Sequence, residues 1–243
     1  MEGMAALAPA GDLSPAEVIG ALALRERGPV GDRPRVAAVM IASIDGQATV
    51  AGRSGGLGHP VDRALMRGLR ASADAVLVGA ATVRAERYAR LFDAEDVAAR
   101  IAAGLSERPP LVVATRAGDV PWDVGVFGEP ESSVVVATGT AVEVPAGAAA
   151  AVEVLLEADA RAVLEHLAQS RAASLVVCEG GPRLLSALVA AGLLDDLILT
   201  VAPLVVGGVG PALLTGPALE PPARLALAAA WRSDDHLFLH YTA

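Results

Sequence analysis

The sequence contains no lysine. All 19 of its basic residues are arginine, set against 28 Asp and Glu. Such a chain cannot form a Schiff base through its own side chains or complete a Walker phosphate loop. It must bind phosphate with guanidinium or backbone N–H groups. Cysteine is nearly absent as well: Cys178 stands alone, which excludes an intramolecular disulfide and a thiolate zinc cluster and fits a reducing, cytoplasmic setting. Aromatic residues make up 3% and charged residues 19%, while 53% are hydrophobic, a profile that excludes a disordered tail or a fibrous protein. The net charge of −9 argues against bulk nucleic-acid binding and points to a small-molecule partner, although a local arginine patch could hold an anion.

No membrane segment is expected. The longest uncharged run, Leu197 to Leu219, is interrupted by Pro203, Gly207, Gly208, Gly210, Pro211, Gly216 and Pro217, and reads as a buried strand followed by turns. Met1 to Leu13 carry Glu2 and no early positive charge, so they read as a frayed N-terminus rather than a secretory signal.

What is present is alanine, at 52 positions, and a regular alternation of element types over 243 residues. Ser14-Pro15-Ala16-Glu17 predicts a helix from Pro15 to about Arg27. Arg35 to Ser43 reads as a strand closed by Asp45-Gly46, with Ala48 to Ala51 as a short return strand. A helix from Pro60 presents Val61, Leu65, Met66 and Leu69 on one face, and Ala75 to Val78 follows as a buried strand leading into the helix start at Gly79 to Glu86. Strands are predicted at Leu111 to Thr115, Ser133 to Thr138, Ala151 to Leu155, Leu175 to Cys178 and Asp195 to Ala202. Helices are predicted at Asp159 to Ser170 and Arg183 to Ala191. Ala223 to Trp231 and His236 to Tyr241 form a terminal hairpin. The pattern implies one mixed-sheet α/β domain, mainly parallel, flanked by helices and ending in an antiparallel pair.

Chemistry concentrates at Glu179-Gly180-Gly181-Pro182-Arg183, between a strand end and a helix start. There free N–H groups and the helix dipole suit a phosphate, while an ordinary tight β–α turn is the plain alternative. Glu179, beside a buried strand end, needs a partner. No dinucleotide Gly-x-Gly-x-x-Gly follows the first strand, and no Gly-x-Ser-x-Gly elbow supports a hydrolase. His59, His166, His236 and His240 are scattered, with His236 and His240 read as exposed strand residues, and no metal is expected. Asp45 is a turn residue or a ligand-facing acid, and Arg70 a phosphate ligand or a solvated helix residue.

Taken in order, Ala42-Ser43-Ile44-Asp45-Gly46, Leu69 to Ala75, Val78 to Val83, and Glu179 to Pro182 closing with Ala202 to Gly208 resemble the riboflavin-pathway pyrimidine reductases. That family includes the C-terminal reductase domain of the bifunctional deaminase/reductase and is similar in fold to dihydrofolate reductase. The resemblance implies a dihydrofolate reductase-like domain over residues 33–243, preceded by an extension and helix at 1–32. It implies an NADPH-dependent enzyme that reduces the ribosyl group of 5-amino-6-(5-phosphoribosylamino)uracil to the ribityl form, and a homodimer. By motif position, Ala42, Thr82, Glu86, Gly181, Pro182, Arg183, Leu184, Leu185, Ser186 and Ala187 would hold NADPH. Ser54, Arg70 and Glu179 would face the substrate, Glu179 or Asp45 would be the catalytic acid unless water supplies the proton, and Arg183 or Arg116 would meet the 2′-phosphate.

Three departures accompany the resemblance. Val39 stands where the family presents a lysine, Glu86 where it commonly has Asp, and Arg87-Tyr88-Ala89-Arg90-Leu91-Phe92 replaces its Asp-Pro-x-Leu-Thr-Val-Arg stretch. The deaminase zinc signature is absent. Val39 and the altered loop open a second reading, a paralogous NADPH reductase of a pterin- or dihydrofolate-like substrate. A non-catalytic NADP(H)-binding module is the third.

Overall fold

The computed structural model describes residues 13–243, so the expectation for the N-terminus falls, apart from Leu13, outside the described residues. Nine strands form one sheet: β1 (Arg35–Ser43), β2 (Ala75–Gly79), β3 (Leu111–Thr115), β4 (Ser133–Thr138), β5 (Ala151–Leu155), β6 (Leu175–Cys178), β7 (Asp196–Ala202), β8 (Ala226–Ser233) and β9 (His236–Thr242). Their order is β5-β4-β3-β2-β6-β1-β7-β9-β8. The first seven in this order run parallel, β9 pairs antiparallel with β7, and β8 pairs antiparallel with β9. The mainly parallel α/β sheet with its C-terminal hairpin is as the sequence predicts.

A parallel sheet covered on both faces reads as continuous apolar strands, because successive side chains enter different cores. Val36, Ala38, Met40, Val176 and Cys178 pack beneath α5 (Ala160–Arg171) and α6 (Pro182–Ala190). Ala37, Val39, Leu175 and Val177 pack on the other face with Leu22 and Leu24 and with Leu69 of α2 (Pro60–Ser72). A further cluster lies under α3 (Ala80–Glu86) and the 120–127 segment, built on Val76, Val78, Val113 and Val136.

Two local expectations are corrected. The first helix, α1 (Pro15–Leu22), stops early because Ala23 turns left-handed at φ 47° and closes the helix with its N–H on the Gly20 carbonyl, although the Ser14–Glu17 capping box forms as predicted. Ala48 to Ala51 form no strand: Gln47 bridges Ala212, and Val50 bridges Arg53 in a tight turn. Within the Arg87 to Pro110 stretch one helix, α4 (Ala94–Ala102), starts on an Asp93 capping box. Its buried Arg100 donates to the carbonyls of Ala71 (2.7 Å) and Ala73 (2.8 Å) at the end of α2.

The edge of the sheet where the parallel strands begin is laced with ion pairs. Asp195 receives both terminal nitrogens of Arg33 at 2.7 and 2.9 Å. Fully buried Asp196 takes Arg27, Arg35 and, at 2.7 Å, the Nε2 of His240. Burial would raise the Asp196 pKa, but these partners together hold it below the ordinary carboxylate value. His240 is thus buried and bonded, which corrects its reading as an exposed strand residue. His236 sits at the start of β9, its ring centroid 4.6 Å from that of His59.

Candidate active site

At the opposite edge, where the parallel strands end, hydrogen-bond donors are left open. Helices α1, α2, α4 and α5 begin on side-chain caps from Ser14, His59, Asp93 and Asp159. By contrast α3 and α6, which begin after Gly79 and Gly181, have no side-chain cap. These two turns are pressed together. The Gly79 N–H donates to the Gly180 carbonyl at 2.8 Å, and a Cβ built on Gly181 would stand 2.5 Å from Thr82 Oγ1. Gly180 has φ +77°, and a Cβ there would lie 2.8 Å from the Met40 sulfur. The turn therefore needs glycine twice, once for backbone conformation and once for close approach.

Within α6, Pro182 has no N–H and the Leu185 N–H already bonds to the Gly181 carbonyl, so Arg183 and Leu184 carry the open helix donors. Leu185 points into the core, and Ser186 is buried against Gly216 beside a cleft of about 350 Å³ lined by Leu214, Pro217 and Leu219. Ala187 is half-buried one step further along the helix. Ala42, near the end of β1, is buried on the strand that also carries Met40.

On the other side of the same strand ends, three distant residues meet. Arg70, from the last turn of α2, pairs with Glu179 through Nε on Oε1 and through Nη2 on Oε2, the latter at 2.6 Å. The Tyr88 hydroxyl donates to Glu179 Oε2 at 2.5 Å, and the Arg70 guanidinium carbon lies 5.5 Å from the centre of the Tyr88 ring. Side-chain exposure is 3% for Glu179 and 17% for Arg70, so the pair is shielded but reachable. Burial would lower the Arg70 pKa, and the Glu179 carboxylate more than offsets it. Burial and the same carboxylate push the Tyr88 phenol well above its ordinary value. The register Ala38↔Cys178 sets Val39 level with Glu179 on the neighbouring strand, within the apolar cluster that includes Met66.

The remaining predicted residues fall around this centre. Asp45 receives the Ser43 hydroxyl at 2.5 Å and the N–H groups of Val206 (3.1 Å) and Gly207 (2.6 Å). These bonds, that of Ser43 first, lower its pKa from 3.8 to about 2. It is a latch between the β1 and β7 loops, and at neutral pH it has no proton to give. The Ser54 N–H donates to Glu86 Oε1 at 2.7 Å, so a residue predicted for the substrate and one predicted for the cofactor hold one another. Cys178 is buried, which pushes its thiol up to about 12 and makes it unreactive.

The RibD C-terminal domain model matches residues 34–239. The chain belongs to that family. Among relatives of the RibD C-terminal domain, the Mycobacterium tuberculosis riboflavin biosynthesis protein RibD is 29% identical over 177 residues, covering 72% of this chain and 44% of the relative. The chain thus spans less than half the length of the curated relatives it matches. A pyrimidine reductase-like protein from Corynebacterium diphtheriae superposes with TM-score 0.77 at 24% identity, covering 95% of this chain and 98% of that one. Acinetobacter baumannii RibD superposes with TM-score 0.71 at 25% identity, covering 87% of this chain and 58% of that one.

Seen in this RibD C-terminal domain, the ordered motifs divide their labour. Arg70 reaches the site, whereas Asp74, four residues on in the same motif, accepts the N–H groups of Ser174 (2.8 Å) and Leu175 (3.0 Å) and serves the fold. Sequence reasoning missed Tyr88, Met40 and Ser43. The signal for Tyr88 was an aromatic residue within the departed loop of a chain that has only two tyrosines.

Proposed function

We propose that this domain is the NADPH-dependent reductase of 5-amino-6-(5-phosphoribosylamino)uracil, giving the ribityl product. The observation that carries the reading is the meeting, at one set of strand ends, of the uncapped Gly180–Gly181 turn with the Arg70–Glu179 pair. The residues suit a dinucleotide phosphate: α6 begins with no side-chain cap, and the N–H groups of Arg183 and Leu184 in its first turn are open. Gly181, Arg183, Leu184, Thr82 and Ala42 would hold NADPH. Arg116 and Arg183 are exposed and pair with no carboxylate among the described residues, whereas Arg84 and Arg87 are taken by Asp119 and Asp123. Either free guanidinium, Arg183 or Arg116, suits a 2′-phosphate.

When bound, NADPH supplies the hydride for C1′ of the opened sugar, and the adjoining nitrogen gains one proton. Arg70 orients the substrate, and Glu179 fixes Arg70. Asp45 is ionised, and Glu179 accepts hydrogen bonds on both oxygens, which leaves solvent water as the proton source in this reading. Preorganisation then supplies most of the rate enhancement. A homodimer would cover the exposed apolar residues Leu204, Val205 and Val209 beside the Asp45 latch.

Purified protein mixed with NADPH and the ribosylaminopyrimidine phosphate should consume the near-ultraviolet absorbance of the reduced nicotinamide. Cofactor binding without turnover would overturn the reading. Val39, apolar and level with Glu179, favours a second reading, reduction of a pterin- or dihydrofolate-like compound. Turnover of dihydrofolate with none of the pyrimidine would select it.

A further inference from the structure

We propose that Tyr88 is a positioning residue of this site, binding Glu179 and Arg70 into one rigid unit whose outward donor is the free edge of the Arg70 guanidinium. The main chain at Tyr88 is clamped. It follows Arg87, which ends α3 in the left-handed region at φ 55° and is tied to Asp123 at 2.5 Å. The Tyr88 N–H donates to Val83 O at 3.2 Å, and its carbonyl accepts the Val126 N–H at 3.0 Å. From this anchor the ring packs against the outer apolar cluster and carries its hydroxyl inward to Glu179.

Each of the three side chains touches the other two. Arg70 donates twice to Glu179, Tyr88 donates once to it, and the guanidinium lies over the ring. Nε and Nη2 of Arg70 are engaged, and Nη1 has no hydrogen-bond partner among the described residues. A closed triangle of this kind loses more than one bond when one member is removed. The Tyr88 donor comes from the replaced Arg87 to Phe92 loop and shares Glu179 Oε2 with Arg70 Nη2.

The inference rests on the reductase reading for its kinetic arm alone. The structural arm uses ¹⁵N-labelled protein and the Arg70 Nε–H resonance, assigned by its loss in R70Q. In Y88F, which keeps the ring, solvent exchange of that resonance should rise roughly tenfold. With the ribosylaminopyrimidine phosphate, Y88F should lower kcat roughly tenfold with the KM for NADPH unchanged. Y88L, which removes the ring as well, should exceed Y88F on both measures. A second probe leaves Tyr88 in place: in E179Q the phenol titration that Y88F abolishes should move to lower pH by ultraviolet absorbance. Wild-type exchange at Arg70 in Y88F, an unmoved Tyr88 titration in E179Q, or wild-type kcat in an active Y88F enzyme would each overturn the proposal. A wild-type protein that turns over no pyrimidine would sink the reductase reading alone, with the exchange and titration results still deciding the role of Tyr88.

Discussion

The Asp45 carboxylate accepts the N–H groups of Val206 and Gly207, so its charge is spent on joining two loops. Its pKa is lowered in the fold from 3.8 to about 2, and a lowered carboxylate pKa contributes stability that is full above the unfolded value and lost as pH falls through the folded one. Wild-type protein should therefore resist urea better than D45N at neutral pH, and that advantage should shrink between pH 4 and pH 2, where the native carboxylate takes up its proton. A constant difference across that window would show that the charge is not what holds the loops. At the cofactor side, R183A should raise the KM for NADPH roughly tenfold while leaving that for NADH nearly unchanged, as expected for loss of one charged contact to a phosphate. Equal effects on both cofactors would remove Arg183 from the 2′-phosphate.

At the scale of elements, the close approach of the β2–α3 and β6–α6 turns is the feature most open to test. Gly181 has φ −67°, which any residue can adopt, so its need for glycine is purely the 2.5 Å gap to Thr82. G181A should cost about 1–3 kcal/mol in urea denaturation, the usual range for overpacking. T82A in the same chain should recover much of it, because it removes the clashing hydroxyl. The strands β1 to β4 and β6 were legible because burial on both faces writes them as largely apolar runs, and the Glu179 to Pro182 turn because strand, glycine pair and N1 proline follow in fixed order. The end of α1 was not legible, since Ala23 adopts a left-handed conformation that its side chain does not announce. Neither were the Ala48 to Ala51 segment, whose neighbour Gln47 bridges Ala212, and the Tyr88 contact, which joins residues 91 apart in sequence.

Across the whole molecule, a chain of 24.5 kDa should run at twice that mass in light scattering if the exposed Leu204, Val205 and Val209 cover one another, and V205E with V209E should return it to one. A monomeric wild type would dismiss that interface. The seven parallel strands give the domain two unlike rims. One is fastened by Asp74, Asp195 and Asp196 against Arg25, Arg33, Arg27, Arg35 and His240. The other carries the glycine turns, the Asp45 latch and the Arg70–Glu179–Tyr88 triangle. Because so many fastenings lie at the far rim, a randomised library at half-buried Ser54, whose tie to Glu86 is made by its main chain, should return mostly folded proteins, and selection on it can search for new substrates without first searching for a new scaffold.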